Sequence, residues 1–165
     1  MSATFSPDEP MDAADHAVLE ALARVLDRVD PVPAGLVDRS LFALTLEGLH
    51  AEVTELRVLE LAVPAVRGAG DRGTVEARTI TFTSDPITVM ITLSVAPSGG
   101  VRIDGWGAPA QRFSVELYRP GATVHAESDD GGSFVLPDVP RGPASLVLRP
   151  VDGAGPAVST PVIEL

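Results

Sequence analysis

A chain of 165 residues has room for a compact domain of about 100 residues plus an appendage, and its 45% apolar content argues against global disorder. The absence of cysteine excludes disulfides, thiolate metal sites and cysteine nucleophiles. A net charge of −11 repels phosphate backbones and anionic lipid surfaces, and no concentrated basic patch offsets it, so neither nucleic acid nor membrane is expected as a partner.

All 12 basic residues are arginine, a mark of GC-rich coding rather than of function. The acidity is uneven: residues 1–65 hold 12 acids against 4 arginines, residues 66–165 hold 11 against 8. The first residues lack the basic start and apolar stretch of a signal peptide, and no apolar run approaches the roughly 20 residues needed to span a bilayer, so a cytoplasmic location is expected.

After a lead over residues 1–11, Asp12 to Val29 reads as a helix. Val18, Leu22, Val25, Leu26 and Val29 recur at spacings of three and four, and Asp12 and Asp15 suit its positive end. Asp30-Pro31-Val32-Pro33 stops it, because the residue before a proline is pushed out of helical geometry. A second helical pattern runs from Ala34 to about Glu60. In it Phe42, Leu46, Leu49, Val53 and Leu56 follow a near-heptad seam, with Glu60 at the next seam position and Gly48 weakening the helix. An acidic helical hairpin over 12–62 is expected. Two helices cannot cover their own apolar stripes, so the seam is expected to serve as a protein interface, to a partner or to a second copy, or else as ordinary core.

Residues 63–74 have linker composition, rich in Gly, Pro and charge. Beyond them the period becomes two. Ile87, Val89, Ile91, Leu93 and Val95 alternate with polar neighbours, preceded by a β-branched run ending at Thr83 and a Ser84-Asp85-Pro86 turn. Further strands are marked by Val101 and Ile103, Phe113 to Leu117, Ala122 and Val124, Phe134 and Leu136, Leu146 and Leu148, and Val158 to Ile163, with turn chemistry in each gap. The expected fold class is therefore α+β, an N-terminal helical hairpin followed by an antiparallel β-sandwich over 75–165.

The stretch from Ala122 to Pro150 carries Ser128-Asp129-Asp130-Gly131-Gly132-Ser133-Phe134, then Val139-Pro140-Arg141-Gly142, then Leu146-Val147-Leu148. This order resembles the repeating core of carboxypeptidase-regulatory-like domains, which implies a sandwich of the transthyretin, or prealbumin, type. The Asp-Pro-Val-Pro connector, the Arg-Thr-Ile-Thr-Phe strand at 78–82 and the Thr-Pro-Val-Ile-Glu-Leu end resemble small actinobacterial proteins encoded beside sigma-factor-like and CHAT-protease genes. That likeness implies an accessory protein in a multi-component regulatory or defence system.

Chemistry-bearing patterns are sparse. His16, His50 and His125 lack metal-pair spacing, Asp129 and Asp130 lack the alternating ligands and closing Glu of a calcium loop, and no Gly-x-Ser-x-Gly elbow or phosphate loop is present. Gly131 and Gly132 read as positive-φ residues of a hairpin turn. Trp106, between Gly105 and Gly107, reads as a cap over the sandwich end or as a platform for a stacked ligand. No catalytic residue, metal or cofactor is expected. The functional expectation is a non-enzymatic adaptor or regulatory module, against a carbohydrate- or small-ligand-binding sandwich and an anti-sigma-like regulator acting through the acidic helices.

Overall fold

The structure is a computed structural model that describes residues 10–50, 52–62, 77–85, 87–153 and 155–165. The expected linker at 63–74 lies outside the described residues. The chain divides into two compact units, residues 1–36 and 37–165.

The first unit holds α1 (Ala13–Val29). Its start is a reciprocal capping box: Asp12 Oδ1 accepts from the amides of Ala14 at 2.7 Å and Asp15 at 2.9 Å, while Asp15 Oδ2 accepts from the Asp12 amide at 3.0 Å. Two otherwise unpaired helix donors are thereby satisfied at the positive end of the dipole. The helix stops at Asp30, ahead of Pro31.

The second unit contains nearly all of α2 (Leu36–His50), followed by β1 (Thr54–Glu55) and β2 (Arg57–Ala62). The second helix is thus shorter than expected. After Gly48 the chain turns, with the amides of Glu52 and Val53 both donating to the Leu49 carbonyl at 2.9 Å. It then runs extended because two sheets receive it. The Leu56 amide donates to the Ser159 carbonyl at 2.7 Å, and Val58 lies opposite Phe82. Since β1 and β2 each pair with strands beyond residue 74, the unit that holds the sheets begins at Val37 rather than at 75.

The remaining strands are β3 (Arg78–Ser84), β4 (Ile87–Val95), β5 (Val101–Ala108), β6 (Phe113–Arg119), β7 (Ala122–Glu127), β8 (Ser133–Val139), β9 (Pro143–Pro150), β10 (Val158–Ser159) and β11 (Ile163–Glu164). One sheet has the order β2-β3-β4-β5-β8 and is antiparallel throughout. The other has the order β1-β10-β9-β6-β7, with β11 also on β9 and a parallel β1–β10 pair. The fold is therefore α+β with mostly antiparallel sheets.

Alternation decides the core. Ile87, Val89, Ile91 and Leu93 face inward along β4, whereas Val95, at the strand end, is exposed. Phe82, Ile103 and Phe134 from one sheet join Phe113, Leu117 and Leu148 from the other in a single buried cluster. Each such side chain contributes about 1.5–3 kcal/mol on burial. The glycines beside Trp106 have a packing cause. A Cβ at Gly105 would collide with the Phe134 ring, and one at Gly107 would lie 2.7 Å from the Phe113 ring, so β5 must be bare on its inner side at both positions.

Candidate interaction surfaces

The expected interface seam is not available as a surface. Phe42, Leu46, Val53 and Leu56 are all buried, and Leu49 is half-buried. Leu56 sits in the main core at 1% exposure. On α2, Leu41, Phe42 and Thr45 border Tyr118, Arg119 and residues 121–123 around a groove of about 340 Å³, whereas Leu56 lies beyond the helix, between β1 and β2, in the core shared by the sheets.

Exposed apolar side chains stand on α1, and on α2 Val37, Leu41 and Leu44 are exposed as well. No residue of α1 is buried. Val18, Leu19, Leu22, Val25, Leu26 and Val29 are each about half exposed or more. At 3.6 residues per turn they fall within an arc of about 120°, opposite Glu20, Arg24 and Asp27.

Trp106 stands on the outer face of β5, 40% exposed. Its Nε1–H donates to the Gly131 carbonyl at 3.0 Å, and the Gly107 amide donates to the Gly132 carbonyl at 2.9 Å. Asp129 Oδ1 accepts from the amides of Gly131 and Ser133, both at 2.9 Å, which makes the acidic turn a closed backbone structure. Only Gly132 of the glycine pair has positive φ, at +85°, so the expectation for Gly131 is corrected.

One cluster of titratable groups was not legible as a motif, because β6, β7 and β9 bring it together from three separate segments. Tyr118 donates to Glu116 Oε2 at 2.9 Å, with Arg149 Nε 3.7 Å from the same oxygen and His125 Nδ1 3.6 Å from Glu116 Oε1. Cross-strand register sets these pairs, Glu116 facing His125 on one side and Val147 on the other. His16 lies on α1 and His50 ends α2, so the three histidines fall on three different elements. No group of three His, Asp or Glu residues with metal-binding geometry occurs among the described residues. No described helix is long and apolar enough to cross a membrane.

No family model, curated protein or solved structure matches this chain.

Partial burial raises the Tyr118 pKa above the ordinary phenol value, and the hydrogen bond and charge of Glu116 raise it further. A raised phenol pKa means that the neutral form is favoured in the folded state, so this stabilisation is present below the unfolded pKa and is lost as pH rises through the folded one. Tyr118 is the only tyrosine, so phenolate absorbance reports it alone. Glu116→Gln is expected to lower its titration midpoint while leaving it above that of the unfolded chain. An unchanged midpoint would remove Glu116 as a cause.

Proposed function

We propose that this chain is a non-catalytic adaptor or regulatory protein, which binds another protein through its N-terminal helix and uses a prealbumin-like β-sandwich as the scaffold. The observation that carries this reading is α1: a fully capped helix with a continuous apolar arc, of which no residue is buried. Such a face gains on the order of 1 kcal/mol per half-exposed side chain when covered, enough over six residues to exceed the cost of ordering a contact. The two sheets with one shared core support the sandwich, and the order of turns from Ser128 to Leu148 supports the carboxypeptidase-regulatory-like resemblance. A cytoplasmic accessory role in a multi-protein regulatory or defence system fits a soluble-type acidic surface and a docking helix. The polar groupings serve the fold: Ser128 accepts from the Phe113 amide at 2.7 Å, and Ser98, in the β4–β5 turn, donates to Asp138 on β8 at 2.6 Å.

The double substitution Leu22→Glu and Leu26→Glu tests the reading. Glutamate is a good helix former and neither site is buried, so helicity and melting temperature should be unchanged. Association, read as a co-purified partner from the native host or as dimer mass by light scattering, should be lost. Wild-type chain that neither recruits a protein nor self-associates, or a variant that associates as before, would refute the proposal.

A further inference from the structure

The α2 helix carries a second apolar stripe, distinct from its buried seam. Val37, Leu41 and Leu44 are each more than half exposed, and with Gly48 they follow a spacing of four, three and four residues. On α1, Val18, Leu22, Val25 and Val29 follow the same spacing, and each of them is also more than half exposed. We infer that the two stripes are complements in a symmetric dimer, in which α1 of each copy packs antiparallel on α2 of the other. This rests on the reading of α1 as a docking helix and names its partner.

Register carries the argument. Residues spaced four, three and four apart form the seam along which two helices interlock side chains. Laid antiparallel, the two stripes match in all four layers at a single register, which runs from Val29 against Val37 to Val18 against Gly48 and sets Leu22 against Leu44. The last layer opposes Val18 to a position with no side chain, where a Cβ would meet no atom within 4 Å, so there is room for the larger residue.

A single chain leaves both stripes in water. A second copy supplies a complement to each at once, and two-fold symmetry forms the same contact twice. Covering both stripes in both copies removes on the order of 1,500 Å² from solvent, the size of a standard stable interface. The connector favours exchange between copies over closure within one. Pro31 and Pro33 fix φ and push the residue ahead of each towards extended geometry, and a stiff hinge opposes a tight turn back. Two chains of net charge −11 repel, but that repulsion is screened beyond about 8 Å at physiological salt, and the stripe positions themselves carry no charge.

Light scattering on the intact chain tests the inference with wild type, Leu22→Glu, Leu44→Lys and an equimolar mixture of the two variants. Wild type is expected to be a dimer. Either variant alone would bury an unpaired charge in both contacts, which should weaken association about a hundredfold or more. Both positions are exposed in the single chain, so helicity and melting temperature of the monomer should be kept. The mixture should dimerise again, because one of its contacts opposes the two new charges and the other is unaltered. Three results overturn the inference. A monomeric wild type removes the second copy, and a dimer that survives Leu44→Lys places the contact away from the α2 stripe. A mixture that stays monomeric shows that α1 is not exchanged between copies. A monomeric wild type that still recruits another protein through α1 would leave the docking reading standing, whereas a monomer that recruits nothing would remove both.

Discussion

Replacing Gly132 by alanine is expected to lower the stability of the sheet unit by roughly 2–4 kcal/mol, whereas the same change at Gly131 costs under about 1 kcal/mol. Two effects coincide at Gly132. Its φ of +85° is strained for any residue with a side chain, and a Cβ there would strike the carbonyl of Gly107 on β5. Relief by moving the turn would break the 2.9 Å bond from the Gly107 amide to the Gly132 carbonyl and loosen the Trp106 anchor on Gly131. Gly131 lacks positive φ, and its nearest neighbour, Asp129 Oδ1, lies 3.2 Å from a virtual Cβ. Thermal melting of the two variants, with Trp106 emission as a local probe, checks the pair. Equal melting temperatures would show that the turn is not held against β5.

The second large effect separates core from surface along the former seam. Leu56→Ala is expected to cost about 2–5 kcal/mol, and Leu56→Glu to unfold the sheet unit, because the side chain is 1% exposed within the main cluster. Leu49→Ala should cost about 1 kcal/mol or less, since that side chain is only half-buried. The contrast is informative because both residues lie on one stripe of the helical pattern. Chemical denaturation of the three single variants gives the ordering. Tolerance of Leu56→Glu would place residue 56 on a surface, as the helical reading had it.

That stripe shows why a sequence pattern can mislead. Spacings of four and three from Phe42 to Leu56 fit a helix, yet the last two members, Val53 and Leu56, belong to a turn and an extended segment. Leu56 lies between β1 and β2, whose hydrogen bonds come from Ala157, Ser159 and the β3 strand, all far along the chain. Local periodicity carries no information about such partners, and a short strand gains its stability almost entirely from them. Glu60 at the next seam position and Gly48 were the local signs of conflict with a continuing helix.

By itself the sequence determined α1 and most of the strands. The apolar arc of α1, its Asp12 cap and the Pro31 stop are local features, and β4 spans Ile87–Val95 as its alternation indicates, because a period of two on a half-buried strand needs no knowledge of its neighbours. Glycine and proline between the later strands likewise fix turns through their own backbone geometry. The tertiary structure alone decided which apolar stripe is covered and which is left open. It buried Phe42, Leu46, Val53 and Leu56, assembled Glu116 with Tyr118, His125 and Arg149, and paired the hydroxyls of Thr83 with Thr88 and of Thr79 with Thr92 across β3 and β4. The last two follow from strand order and register, and those are set by which distant segments bury the most surface together, a property of pairs of segments rather than of any one of them.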